Sequence, residues 1–268
     1  MSQDRAIRTV PAMAAMKAAG TPITMLTAYD ASFARLVDEA DVDCVLVGDS
    51  LGNVIQGRES TLPVTVEHMV YHVEAVRRGS THPLLIADLP FMSYHDRAAA
   101  MQAAAAVMRA GARMVKLEGG STVVPLVADL VAQGVPVCAH LGLTPQHVHS
   151  LGGYRVQGRD EALARALQED ARALEAAGAG MLVMECVPSG LARAVAESLR
   201  IPVIGIGAGV DVDGQVLVLY DMLGISPGRS PRFVRDFMEE ADSIPAALAA
   251  FVAAVRERRF PDDQHSYA

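Results

Sequence analysis

The chain has no tryptophan, only 4% aromatic residues and three cysteines in 268 positions. With so few aromatics the interior has to be built from Ala, Val, Leu, Ile and Met, and a hydrophobic content of 51% supplies a large core. Cys44, Cys138 and Cys186 form no even framework, and each sits inside an apolar run. They read as buried, reduced thiols in a reducing compartment, the cytoplasm. Basic runs are missing as well: 23 Lys and Arg stand against 31 Asp and Glu, a net charge of −8. Nucleic acid and anionic membrane are poor partners for such a surface. No apolar run approaches the ~18 residues of a membrane span. The opening MSQDRAIRTVPAMAAMKAAG lacks a long apolar segment and reads as a short amphipathic helix rather than a signal peptide.

What the chain does contain is alternation. Apolar runs at 23–30, 44–50, 83–90, 114–120, 136–143, 181–188, 202–209 and 215–223 are separated by helical runs such as 65–79, 96–112 and 160–179. The apolar runs are nearly continuous, as expected of parallel strands covered on both faces. Gly79, Gly111 and Gly178 stand where left-handed helix C-caps are wanted. A last helix follows Ser243 and ends near Arg259. This pattern predicts one α/β domain over residues 1–268, a single (β/α)8 barrel preceded by a short N-terminal helix. The competitor, an open doubly wound sheet, would place a glycine-rich fingerprint after the first strand, and ITMLTAYDASF has no glycine. The longest irregular stretches, 51–64 and 143–159, both follow strands; in a barrel they lie on the C-terminal face, where chemistry sits.

Polar groups recur at the carboxyl ends of these runs: Asp30, Asp49, Asp88, Glu118, His140 and Glu185. One such residue marks a strand reaching the surface, but six on successive units point to a shared site. Lys116 and Glu118 are two positions apart and leave the same face of their strand. Facing inward they must be paired or metal-linked, a plain structural ion pair being the alternative. Asp49, Asp88 and Glu118 on neighbouring strands would repel one another unless a cation shares them. Oxygen ligands of this kind suit Mg2+ rather than Zn2+. His68 and His72 have helical spacing without the Glu of a zinc motif, and read as a partly exposed helix face. GIGAG at 205–209 suits either a phosphate loop or close backbone packing, and Arg155 and Arg159 suit either closure over an anion or a solvated loop.

Together these residues define a chemistry. With Mg2+ between Asp49 and Asp88, and Glu118 nearby, a 2-oxo acid could chelate the ion through its keto and carboxylate oxygens. Lys116 would offset the substrate's charge and Ser50 would bind its carboxylate. The ion would acidify the carbon beside the keto group, and Glu185 would remove its proton. The result is enolate chemistry on a keto acid, with the electrophile left open.

The segments VGDSLGNVIQGRESTLPVT, HVEAVRRG, ADLPFMSY, AVMRAGARMVKLEGG, PVCAHLGLTPQ, GGYRVQGR, ECVP and IPVIGIGAG occur in order, from about Leu26 to the closing FPDDQHSYA. They resemble the ketopantoate hydroxymethyltransferase family. The resemblance implies a (β/α)8 barrel of the phosphoenolpyruvate mutase/isocitrate lyase superfamily. It also implies transfer of a hydroxymethyl group from 5,10-methylenetetrahydrofolate to 3-methyl-2-oxobutanoate, giving 2-dehydropantoate in pantothenate biosynthesis. Carried over motif by motif, Asp49 and Ser50 match keto-acid contacts, and Asp49 also matches a Mg2+ ligand. Asp88 matches the second ligand and a substrate contact, Lys116 a substrate contact, and Glu118 the third metal-site acid. Glu185 matches the proton acceptor and His140 a pocket residue. A homodecamer built from dimers is implied too. The chain departs from the pattern at VDVDGQ after GIGAG, and at QHSYA, where an acid more often precedes His-Ser and an aromatic. A carbon–carbon lyase of the same superfamily would carry a cysteine on a Lys-Lys-Cys-Gly-His loop, which is absent. A non-catalytic barrel scaffold would have no reason to keep the strand-end groups.

Overall fold

Long aliphatic and β-branched side chains that must be hidden on both faces make eight parallel strands. They are β1 (Ile23–Thr27), β2 (Cys44–Val47), β3 (Leu84–Asp88), β4 (Met114–Glu118), β5 (Val137–Gly142), β6 (Met181–Glu185), β7 (Val203–Ile206) and β8 (Gly214–Leu217). In this computed structural model, which describes residues 5–226, 228 and 230–268, they close in chain order into one barrel, with β8 paired to β1. Closure in that order excludes the doubly wound sheet. The helices are α1 (Val10–Ala18), α2 (Ala31–Glu39), α3 (Leu51–Val54), α4 (Val66–Gly79), α5 (Arg97–Ala110), α6 (Val124–Ala132), α7 (Val148–Leu151), α8 (Glu161–Ala176), α9 (Ser189–Ser198), α10 (Leu219–Met222) and α11 (Ile244–Arg256). The first four residues of the predicted N-terminal helix lie outside the described residues, and the helix itself starts at Val10.

The strands stop short of the apolar runs. β2 ends at Val47 and β8 at Leu217, where the run predicted to 223 turns into α10. A barrel strand lasts only while both neighbours remain beside it, and the chain stays apolar afterwards because the loop packs on the barrel. Asp88, Glu118 and Glu185 are therefore the last residues of their strands, while Asp49 lies in the turn after β2.

Helix starts explain several polar residues. Asp30, expected in the shared site, instead caps α2: its Oδ1 accepts the N–H groups of Ser32 and Phe33 at 2.8 and 3.0 Å. His68 completes a capping box with Thr65, and His72 Nδ1 lies 2.6 Å from the Tyr29 carbonyl oxygen, so both have structural partners. Gly111 and Gly178 take left-handed φ values of 124° and 99°. Gly79 does not; it ends α4, where a Cβ would collide with the Ala31 backbone, so it permits the close crossing of α4 on α2.

The N-terminal end of the barrel is tied together by charge. Lys17 on α1 donates to Asp213 Oδ2 at 2.7 Å and to the Ala196 carbonyl at 2.8 Å. Asp43, fully buried just before β2, accepts the Thr24 N–H at 2.9 Å and its hydroxyl at 2.8 Å. The same carboxylate meets Arg256 of α11 at 2.7 Å and Arg8 at 3.1 Å. It thus joins β1, β2, the last helix and the segment leading into α1. Asp43→Ala leaves these donors without their acceptor and should lower unfolding free energy by on the order of 3 kcal/mol in urea titration. A change under about 1 kcal/mol would show that the clamp is dispensable.

Candidate active site

Strand register brings the predicted residues together at the other end. β3 pairs with β4 so that Asp88 lies opposite Lys116, and β4 with β5 so that Glu118 lies opposite His140. Lys116 Nζ donates to Asp88 Oδ1 at 2.6 Å, a buried ion pair. Asp88 Oδ2 accepts the N–H of Asp49 at 2.9 Å, which fixes the turn after β2. That turn needs Gly48: a Cβ there would stand 2.9 Å from Ser50 Oγ and 3.4 Å from Asp88 Oδ2. Ser50 Oγ is 2.9 Å from the hydroxyl of buried Tyr29. On the far side His140 lies between two acids, with Nδ1 3.2 Å from Glu118 Oε1 and Nε2 3.3 Å from Glu185 Oε2. These are ion-pair distances off the hydrogen-bond axis, so Glu118 Oε1 and both ring nitrogens are buried without a hydrogen-bond partner.

The residue that links the two halves is one that motif reasoning missed. Gln146 is 3% exposed. Its side-chain amide donates to Asp49 Oδ2 and to the Leu89 carbonyl, both at 2.9 Å, and its backbone N–H donates to Glu118 Oε2 at 3.0 Å. Its Oε1 accepts the Tyr94 hydroxyl at 2.5 Å. Gln146 follows Pro145, which opens a single 3-10 turn directly after β5 and turns the chain back over the barrel mouth. The only signal was that turn, placed after a strand that ends in the site.

Burial and neighbouring charge compete in the electrostatics of the site. Burial raises the Asp49 carboxyl well above its ordinary value, with Asp88 and Glu118 adding repulsion. Burial alone would lower the Lys116 ammonium, but Asp88, Glu118 and Asp49 outweigh it and hold that charge more firmly than usual. Burial and Lys116 oppose a charge on His140; Glu118 and Glu185 overcome them and push it up to about 9. Glu118 is held below the ordinary carboxyl range, because His140, Lys116 and the Gln146 N–H outweigh its burial.

The donor set fits a hard divalent cation in its chemistry: three carboxylates, one from the turn after β2 and two from the ends of β3 and β4, one of them with an orphaned buried oxygen. Among the described residues no three His, Cys, Asp or Glu side chains are already gathered around a point. Gln146 donates to Asp49 and Glu118, and Lys116 to Asp88.

Other candidates resolve to packing. In GIGAG, Gly207 and Gly209 have φ values of 61° and 81°, and the space a Cβ would need is filled by Phe233, Tyr267 and Ser189. This is the close-packing alternative rather than a phosphate cradle. Arg155 and Arg159 are exposed on their loop, and the three thiols are free and buried.

Comparison with known proteins adds the lineage. The sequence profile of ketopantoate hydroxymethyltransferase matches residues 8–263. A 3-methyl-2-oxobutanoate hydroxymethyltransferase of Aromatoleum aromaticum is 59% identical over 254 residues, covering 94% of each chain. One of Nitrosococcus oceani is 58% identical, covering 94% of this chain and 96% of its own. Among solved structures, a phosphoenolpyruvate phosphomutase from Streptomyces platensis subsp. rosaceus superposes with a TM-score of 0.62 at 13% identity, covering 81% of this chain and 83% of its own. A 2,3-dimethylmalate lyase of the PEP mutase/isocitrate lyase superfamily gives 0.56 at 17%, with the same coverage. At such identities the structures establish the barrel type alone. Sequence similarity over nearly the whole length decides the narrower question, and the chain belongs to the ketopantoate hydroxymethyltransferase family.

Proposed function

We propose that this hydroxymethyltransferase moves the one-carbon unit of 5,10-methylenetetrahydrofolate onto C3 of 3-methyl-2-oxobutanoate, forming 2-dehydropantoate for pantothenate biosynthesis with the help of Mg2+. The observation that carries the reading is a run of hydrogen bonds and ion-pair contacts from the turn after β2 to the end of β6. Lys116, Asp88 and Asp49 are joined through Gln146 to Glu118, and through His140 to Glu185. The names of relatives at 54–59% identity support the acceptor and the transferred group. The donor rests on the family resemblance.

Asp49, Asp88 and Glu118 would hold the ion, and Mg2+ bound there supplies Lewis-acid polarisation of the keto group, which acidifies the C3 hydrogen. Lys116, pinned by Asp88, sets a positive charge against the substrate carboxylate, and the Ser50 hydroxyl, held by Tyr29, adds a hydrogen bond. Glu185 removes the C3 proton from the partly open end of that run. The donor's methylene carbon exchanges its two carbon–nitrogen bonds for a carbon–oxygen bond to water and a carbon–carbon bond to C3. The nitrogens of the departing tetrahydrofolate collect the C3 proton and the remaining proton of water. A cavity of about 390 Å³ beside Glu118 and Gln146, walled by Phe91, Met92, Tyr94 and His147, offers an aromatic-lined space of the size small-molecule sites use. A homodecamer built from dimers in the cytoplasm belongs to the same proposal; light scattering that gives a smaller particle removes the decamer.

Solvent exchange of the C3 hydrogen of 3-methyl-2-oxobutanoate, with Mg2+ and no donor, isolates the proton-transfer step. Glu185→Gln should slow it by about 10²–10⁴-fold while the keto acid still binds. Exchange at the wild-type rate would remove Glu185 as the base. Asp88→Ala should abolish the Mg2+ dependence, and an unaltered Mg2+ titration refutes its assignment as a ligand. The complete assay, reading 2-dehydropantoate, tests the donor: no product with 5,10-methylenetetrahydrofolate excludes it.

A pH dependence follows from His140. Its pKa rises from an ordinary 6.5 to about 9 on folding, so its protonation favours the folded state below about pH 6.5 and that contribution is lost as pH climbs through about 9. In metal-free protein, His140→Gln should therefore lose more stability relative to wild type at about pH 6 than at about pH 9.5. Equal losses in urea unfolding at the two pH values would rule out a charged His140.

A further inference from the structure

The turn after β6 carries Glu185 into the site, and it is an unusual turn. Cys186 adopts φ +49°, a left-handed conformation that non-glycine residues take only when their surroundings hold them there. The Cys186 N–H donates to the Ile206 carbonyl at 2.8 Å, and its own carbonyl accepts the Gln157 N–H at 2.9 Å. Helix α9 begins immediately afterwards with Pro188 at its N-cap, which offers no side-chain acceptor. The free N–H of Ser189 is taken instead by the backbone carbonyl of Tyr267, at 2.9 Å. A residue of the C-terminal segment thus caps the helix that follows Glu185.

The same tyrosine closes the turn from a second direction. Its ring packs on Gly207 at the end of β7, where a Cβ would come within 3.0 Å of the Tyr267 Cε2 atom. Its phenol lies beside the Cys186 thiol. The segment that presents it is firmly built. Asp262 Oδ1 accepts the N–H groups of Gln264 and His265 at 2.9 and 3.1 Å. Arg232 donates to the Gln264 and Asp263 carbonyls at 3.0 and 3.2 Å, and its guanidinium lies 5.7 Å over the Tyr267 ring.

We propose that Tyr267 is a positioning residue for proton transfer: through the Cys186 turn and the start of α9 it fixes the angle at which Glu185 enters the site. The inference rests on Glu185 being the base. It gives a role to the closing QHSYA segment, which touches none of the residues assigned to substrate or metal.

The test uses the same C3 exchange reaction together with keto-acid binding by calorimetry in Mg2+. Tyr267→Ala should slow exchange by about tenfold to a hundredfold, the scale of an ångström-sized misplacement, with keto-acid affinity nearly unchanged. Tyr267→Phe, which keeps the ring on Gly207 and under Arg232, should recover most of the rate. Arg232→Ala, which loosens the segment without touching Cys186, should slow exchange in the same sense and serves if Tyr267→Ala fails to fold. Wild-type exchange in Tyr267→Ala, or in Arg232→Ala where that variant stands in, overturns the inference. So does a parallel loss of keto-acid affinity, which would mark general damage to the site. Wild-type protein that itself exchanges no C3 hydrogen removes Glu185 as the base and takes this role with it.

Discussion

Three carboxylates buried at one end of a small barrel repel one another, and most of what is unusual about the C-terminal face follows from making them tolerable. Asp49 is 4% exposed, Asp88 3% and Glu118 1%. Isolated ionised acids at that depth would each cost several kcal/mol. The molecule answers with one permanent cation, one amide and one imidazole. Lys116 neutralises Asp88; Gln146 donates to Asp49 and Glu118 at once; His140 stands between Glu118 and Glu185. None of the three is optional, because removing any one exposes a neighbouring acid to uncompensated repulsion.

The barrel makes that arrangement possible by register. Side chains of β3, β4 and β5 alternate between the barrel interior and the surrounding helix layer, so a shift of one position would send Asp88, Lys116, Glu118 and His140 into that layer. The same constraint that buries Ile86 and Val115 therefore sets Asp88 opposite Lys116 and Glu118 opposite His140. Clamps at the opposite end serve the same register. Asp43 holds β1 to β2 just before the strand that leads to Asp49. Stability at one face and charge placement at the other are parts of a single alignment.

The fold was largely legible because parallel strands buried on both faces leave an unmistakable apolar signature. Strand ends were not, since Leu219 and Met222 of α10 are as apolar as the strand they follow. The charged members of the site were legible too, as acids where an apolar residue would have served. Asp30 shows the limit of that logic: a helix N-terminus after a strand selects the same residue type for its own reasons. Gln146, Tyr94 and Tyr29 escaped because neutral polar residues in loops have no periodicity. Their importance comes from partners distant in sequence, such as Asp49 for Gln146.

Tyr267 belongs to that last class, and its position says something about how a barrel builds a site. Five strands, β2 to β6, bring side chains to the mouth, but a strand end is also where the ladder stops holding the backbone. Glu185 is the last paired residue of β6, and the next residue already sits in a left-handed conformation. A base there needs support that β5 and β7 supply only in part, through the Leu143 N–H and the Ile206 carbonyl. The remaining constraint has to come from outside the sheet. A segment arriving after the last helix, free of the barrel's own register, can reach the β6–α9 turn and fix it without disturbing the strands.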